Sequence, residues 1–76
     1  MEQLTSRQQR ILSLIIKEHI RSAEPVASSR LVADYHLDLS SATVRNEMAF
    51  LTKMGYLRQP HTSAGRVPTE EGYRYF

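Results

Sequence analysis

The sequence predicts a mainly α-helical domain that carries one small β-hairpin. In the first two thirds of the chain, apolar residues recur at spacings of three and four, as they do on one face of a helix. After Gly55 this period is lost, and two short extended segments flank a loop rich in small residues. The 76 residues, 41% of them hydrophobic, are enough for one globular domain, which we assign to residues 1–76.

The first helix is predicted over residues 5–22. Thr5 and Gln8 have the spacing of a capping box, in which each side chain bonds an otherwise unpaired backbone N–H. Pro25 is expected to end the helix, because the residue before a proline avoids the helical conformation. The predicted apolar stripe comprises Ile11, Leu12, Ile15, Ile16 and Ile20, and the polar face comprises Arg10, Lys17, Glu18 and Arg21.

A short second helix is predicted to begin at Ser28 or Ser29, since either hydroxyl can cap it. The side that it buries comprises Leu31, Val32 and Tyr35. Residues 36–39 form the turn that follows.

Ser40 is predicted to cap a third helix that runs from Ser41 to about Met54, and Gly55 suits the left-handed position after it. The residues at core spacing are Val44, Met48 and Leu51. The opposite face is small and polar, and comprises Ala42, Asn46, Ala49 and Lys53.

The remaining residues predict a hairpin and a final helix. Tyr56–Gln59 and Arg66–Pro68 are the two strands, and Gly65 is expected to take the positive φ that closes the loop between them. Thr69 begins the last helix. Two helices joined by a tight turn and followed by a hairpin form a winged helix-turn-helix, here with a three-helix core, a wing and a short C-terminal helix.

The distribution of charge indicates which side of this fold binds a partner. The net charge is +2, but residues 45–66 alone carry +3, because Arg45, Lys53, Arg58 and Arg66 face a single acid, Glu47. A cationic third helix and wing are typical of a surface that meets phosphates. We therefore expect duplex DNA as the partner, with the third helix in the major groove.

Chemistry suggests a role for each side chain at the start of the third helix. The hydroxyls of Ser40, Ser41 and Thr43 lie where backbone N–H groups already favour a phosphate, although one serine must cap the helix. Asn46 can pair with adenine, and Arg45 with guanine or a phosphate. Two simpler interpretations remain open: Arg45 could be solvated or paired with Asp38, and Ala42 could contact a thymine methyl or only permit close approach.

The wing offers a second set of contacts. Arg66 and His61 flank small residues that could follow a narrow minor groove, while Thr62 and Ser63 can bond phosphate oxygens. Arg58 is expected to meet a phosphate or solvent, and Lys53 a phosphate. The alternative is an ordinary hairpin whose arginines are solvated.

Other classes of function find little support. His19, His36 and His61 lack an acid at ligand spacing, cysteine is absent, and no glycine-rich phosphate loop occurs, so we expect no metal, no cofactor and no enzymatic activity. No signal peptide or membrane span is evident, which favours the cytoplasm and the nucleoid. A protein-interaction module, supported by Phe50, Tyr75 and Phe76, and an RNA-binding domain remain as alternatives.

Two segments are specific enough to indicate a family. The chain resembles the N-terminal DNA-binding domain of the HrcA heat-inducible transcription repressors, above all in the segments 41–48 (SATVRNEM) and 60–69 (PHTSAGRVPT). The resemblance implies a fragment of a longer repressor that binds the inverted-repeat operator CIRCE. It also implies a homodimer formed through a C-terminal domain, and dependence on the GroE chaperonin. The chain departs from the family pattern at Ala23, Ala27, Phe50 and Thr52.

Overall fold

A computed structural model of the chain describes residues 3–61 and 64–76. Its elements in chain order are α1 (Ser6–Ser22), α2 (Ser28–Tyr35), α3 (Ser41–Lys53), β1 (Leu57–Arg58), β2 (Val67–Pro68) and α4 (Glu70–Tyr75). Helices α1, α2 and α3 pack on one another, the hairpin contacts α1 and α3, and α4 lies against α1 and β2. The predicted winged helix-turn-helix architecture is confirmed.

The capping box at Thr5 and the end of α1 at Ser22 are confirmed, but Pro25 is not the residue that ends the helix. The helix ends at Ser22 because Ala23 turns into the left-handed conformation, with φ 58°, and its N–H donates to the His19 carbonyl. The stop therefore comes before Pro25. Ile20 was also wrongly placed on the apolar stripe: it is 64% exposed, near the end of the helix.

The N-terminus of α2 carries no side-chain cap. Ala27 is the N-cap residue and has no hydroxyl, so the helix begins at Ser28 itself and the prediction of a capping serine is wrong. At the other end, His36 takes a left-handed conformation with φ 50°, and its N–H donates to the Val32 carbonyl.

Helix α3 follows the prediction closely. Ser40 is its N-cap, and the Ser40 hydroxyl accepts from the Thr43 N–H at 3.1 Å. Gly55 has φ 90°, the left-handed conformation expected after the helix. Val44, Met48 and Leu51 are buried as their spacing predicted.

The wing is shorter than predicted and is attached to the body of the domain. The strands pair antiparallel, with Leu57 opposite Pro68 and Arg58 opposite Val67. Arg66 does not extend β2; its backbone instead forms a two-bond bridge with Val26, in the segment between α1 and α2. This pairing ties the base of the wing to the helical core.

Gly65 has a different role from the one predicted. Its φ lies outside the left-handed region. A Cβ at this position would lie 3.0 Å from backbone and side-chain atoms of Pro25 and from the Val26 nitrogen. A side chain here would force the α1–α2 connection to shift by a few tenths of an ångström, so the close approach of the wing favours glycine.

The core is formed by apolar side chains from α1, α2, α3 and the wing, and from the segments that flank the helices. It comprises Leu4, Ile11, Leu12, Ile15, Ile16, Val26, Leu31, Leu37, Val44, Met48, Leu51 and Leu57. In the part of the chain that the structure describes, no helix is long and apolar enough to cross a membrane.

Glu18, predicted on the polar face of α1, is buried, with 1% of its surface exposed. Its carboxylate accepts from Arg21 at 2.6 Å, is 3.0 Å from a guanidinium nitrogen of Arg30, and accepts from the Tyr35 hydroxyl at 3.3 Å. The hydrogen bond from Arg21 and the charges of Arg21 and Arg30 outweigh desolvation and lower the pKa of Glu18. Because Arg30 and Tyr35 belong to α2, the carboxylate joins α1 to α2.

This carboxylate gives the stability of the domain a defined dependence on pH. Since folding lowers the pKa of Glu18 below its usual value of 4.5, its contribution is present above that value and is lost as pH falls through the folded pKa. We expect Glu18→Gln to be less stable than the parent at pH 7, and the difference to shrink below pH 4.5. Urea unfolding of both proteins as a function of pH measures this, and an equal pH dependence in the two would contradict it.

Candidate nucleic-acid interface

The face of α3 opposite the core is exposed and lacks acidic residues. Its exposed members are Ala42, Arg45, Asn46, Ala49 and Lys53. The one acid of the helix, Glu47, is turned away: its side chain is 12% exposed and accepts from Arg7 at 2.7 Å and Gln8 at 3.1 Å, both on α1. Residues of α1 thus hold the negative charge of α3 at the side of the helix, a role for Arg7 that the sequence alone did not indicate.

The hydroxyl groups at the start of α3 have different hydrogen-bond roles. Ser40 uses its oxygen for capping and donates its proton to the Thr43 hydroxyl at 3.0 Å. The Ser41 side chain is half-buried and forms no hydrogen bond within the described residues. Ser40 is therefore the capping serine, and the hydroxyl protons of Ser41 and Thr43 are available to an acceptor.

The cations of this face form no ion pairs within residues 3–61 and 64–76. Among the residues that the structure describes, Arg45 forms no ion pair, so its proposed pairing with Asp38 is not formed. The same holds for Lys53 and for Arg58, whose side chain lies on the exposed side of β1. Three free cations are thereby directed to solvent.

Arg66 forms hydrogen bonds that hold the wing, a structural role that the sequence did not indicate. Its Nε donates to the Thr52 hydroxyl of α3 at 3.1 Å, and one terminal nitrogen donates to the carbonyls of Ala64 and Gly65 at 2.9 and 3.3 Å. The guanidinium is half-buried and joins the wing to α3. His61 is exposed at the start of the loop, while Thr62 and Ser63 lie outside the described residues.

A cavity of about 320 Å³ lies between α2, α3 and the wing. Its lining combines the N-terminus of α2 with two arginines and no acid, and comprises Ala27, Ser28, Ser29, Arg45, Met48, Gln59, Ala64 and Arg66. A cationic hollow therefore lies beside the contact between α3 and the wing.

The aromatic residues that supported a protein-interaction role differ in exposure. Phe50 is half-buried and packs against the core. Tyr73, Tyr75 and Phe76 are exposed on and after α4, with the Tyr75 ring meeting Tyr56 edge to face at 5.4 Å. Residues 3–61 and 64–76 contain no group of three His, Cys, Asp or Glu side chains able to hold a metal ion.

The chain is similar in sequence to known transcription repressors. The chain is 60% identical over 73 residues to a heat-inducible transcription repressor HrcA of Natranaerobius thermophilus, covering 96% of this chain and 21% of the relative. It is 62% identical over 73 residues to the HrcA of Roseiflexus castenholzii, covering 96% and 20%. The resemblance to HrcA is confirmed, and the chain spans about a fifth of the length of these relatives.

A solved structure has the same fold. A crystal structure of a protein described as hypothetical superposes with a TM-score of 0.90 at 46% identity, covering 95% of this chain and 23% of the other. The family model of the LexA DNA binding domain matches residues 1–65, which include all of α1, α2, α3 and β1. The matched residues include the exposed polar face of α3, beside which the cationic wing lies. By this match the chain belongs to the LexA DNA binding domain family.

Proposed function

We propose that this chain is the DNA-reading domain of a repressor of heat-shock genes. The observation that supports this most is the exposed face of α3, which carries Arg45, Asn46 and Lys53 and no acidic side chain. The acid of this helix, Glu47, is paired with Arg7 at its side. Helix α3 would enter the major groove, and the wing would lie on the backbone or in the minor groove. Repression then needs no chemistry, because a bound domain blocks transcription sterically.

The residues divide into those that read bases and those that bind the backbone. Base contacts would come from Asn46 and Arg45, with Ala42 against a methyl group and Ser41 and Thr43 bonding a base edge or a phosphate. Backbone contacts would come from the N-terminus of α3, at Ser40, and from Lys53, Arg58 and Arg66. His61, Thr62 and Ser63 would follow the groove at the tip of the wing.

The wider assembly extends this proposal. The HrcA relatives are about five times as long as this chain. The rest of such a protein would supply homodimerisation, so that two domains read an inverted-repeat operator of the CIRCE type, and would respond to the GroE chaperonin. The protein would then act on the nucleoid in the cytoplasm.

An NMR titration of the 76-residue chain with two duplexes tests DNA reading. One duplex is an operator half-site and the other a scrambled sequence of equal length and composition. Saturable shifts in residues 41–46 and at Arg66 that favour the half-site are expected. Absence of shifts with both duplexes would contradict the proposal and favour a protein-interaction role, for which the exposed Tyr73 and Phe76 are the available surface.

Asn46 is expected to carry part of the sequence preference. Its side chain is exposed and forms no hydrogen bond in the described residues, so both the carbonyl oxygen and the NH2 group of its amide are available for a base. Asn46→Ala should cost about 1–3 kcal/mol on the half-site, as the loss of a bidentate base contact does. Fluorescence anisotropy with both duplexes measures this.

Lys53→Ala is the matched variant, since Lys53 lies on the same face of α3. It should weaken both duplexes to a similar extent, because a phosphate contact carries no base preference. If Asn46→Ala also weakened both duplexes equally, Asn46 would not read a base.

A further inference from the structure

The N-terminus of α2 lies at the edge of the cavity between α3 and the wing. Ala27 and Ser29 line this cavity, and Ala27 has no side-chain oxygen to accept from the helix. The backbone N–H groups of Ser28, Ser29 and Arg30 have no acceptor within residues 3–61 and 64–76, whereas the next one, of Leu31, donates to Ala27. Three unpaired donors at the positive end of a helix dipole favour an anion.

Ser28 points to a ligand independently of the helix dipole. This residue is 8% exposed and lines the cavity, yet its hydroxyl has no hydrogen-bond partner among the described residues. Those residues include no fully enclosed side-chain oxygen or nitrogen that lacks a partner. The Ser28 oxygen is therefore reachable, and Ser28 is one of the residues that line the cavity. An almost buried hydroxyl without a partner in the protein can donate to an occupant of the cavity.

The charges around the cavity select the sign of that occupant. Arg45 contributes a guanidinium without an ion-pair partner in the described part of the chain, and Arg66 contributes one whose second terminal nitrogen makes no bond there. No acidic side chain is found among the lining residues that the structure describes. Two arginines, hydroxyls and free N–H groups are the donor set that binds a phosphate.

We propose that this cavity holds one phosphodiester of the DNA backbone, bound by Ser28, Ser29 and the start of α2, with Arg45 beside it. The inference rests on the proposed function and adds a third element, α2, to a surface so far made of α3 and the wing. The DNA backbone is the expected source because the cavity is lined by both elements that would grip the duplex, so a DNA strand passing from α3 to the wing crosses it. A phosphate fixed there sets how deeply α3 enters the groove.

The variant Ser29→Glu tests this site. Ser29 is exposed in the first turn of α2, where a carboxylate stabilises a helix, so the protein should fold at least as well as the parent. The same carboxylate would occupy the place of the phosphate and repel it. We expect affinity to fall by at least about tenfold on half-site and scrambled duplexes alike, since a backbone contact carries no base preference. Ser28→Ala, which removes only the hydroxyl, should cost about three- to tenfold, the range for one ordinary hydrogen bond.

Gln3→Glu serves as the control. It adds the same charge at an exposed position before α1 that does not line the cavity, and should reduce affinity by less than about threefold at physiological salt, where charges beyond a Debye length are screened. A scan of half-sites, each with one uncharged methylphosphonate linkage, then locates the phosphate. One linkage should weaken the parent protein but leave Ser29→Glu unchanged.

Each possible result has a distinct meaning. If Ser29→Glu binds as Gln3→Glu does while Asn46→Ala still loses half-site preference, the phosphate site is refuted and DNA reading stands. If the parent binds neither duplex, both proposals fail. If inorganic phosphate shifts the amides of residues 28–30 but Ser29→Glu leaves duplex affinity intact, the cavity is a small-anion site and the backbone proposal is overturned.

Discussion

Gly72→Ala is expected to destabilise the domain, although alanine is the better helix former. In an exposed helix this change would stabilise the protein by about 1 kcal/mol. Here Gly72 is the buried residue of α4, and a Cβ would overlap the carbonyl oxygen of Tyr56. That oxygen cannot move away easily, because it also accepts from the Thr69 N–H at 3.1 Å. We expect a net loss of about 1–3 kcal/mol, the usual cost of overpacking.

The size of this effect follows from what α4 holds in place. Thr69 caps α4 and its hydroxyl donates to the Gly55 carbonyl at 2.6 Å, so the start of the helix is fixed to the segment that leads into β1. Displacing α4 therefore also displaces the base of the wing. Urea unfolding measures the loss, and Glu71→Ala, which removes only an exposed ion pair with Arg74 in the same helix, should cost less than about 1 kcal/mol. A Gly72→Ala protein more stable than the parent would show that α4 is loosely attached.

Arg66→Ala is expected to weaken binding to every duplex by about 1.5–3 kcal/mol, the range for hydrogen bonds to a charged group. Two contributions add in this residue. Its guanidinium joins the wing to Thr52 of α3, and its remaining nitrogen faces the cavity between them. Loss of a phosphate contact should also make the dependence of log affinity on log salt shallower by about one ion.

Thr52→Val separates the two contributions. The change removes the hydroxyl that accepts from Arg66 at 3.1 Å and leaves the charge in place. We expect it to lower affinity moderately while the salt dependence stays that of the parent. Affinity measured by anisotropy across a salt series distinguishes the variants. An unchanged salt dependence in Arg66→Ala would mean that Arg66 only anchors the wing and never meets a phosphate.

The features that were predictable from sequence are those fixed by neighbours in the chain. The capping residues Thr5, Ser40 and Thr69 act on N–H groups three positions ahead, so a short segment contains the whole interaction. The inward face of α3 and the left-handed Gly55 are likewise set by local spacing. The family model and the HrcA relatives then agreed with the architecture built from these local signals.

The features that escaped prediction depend on residues distant in sequence. Glu18 is buried only because α2 brings Arg30 and Tyr35 onto it, and a helical wheel of α1 contains neither. Glycine is favoured at position 65 by its approach to Pro25, which no turn rule anticipates. The hollow that Arg45 and Arg66 share is created by three elements at once, so its members could be named as cations but not as neighbours.

The backbone bridge between Val26 and Arg66 has a consequence for the order of folding. Its partners are 40 residues apart, and joining the ends of a loop of that length costs about 3 kcal/mol of chain entropy. Two hydrogen bonds do not offset that cost alone, so we expect the bridge to form only after α1 and α3 have docked. The cationic wing would then be the last part of the domain to assemble and the first to be lost on heating. An incompletely folded chain would retain its helices and still lack the surface that grips a duplex.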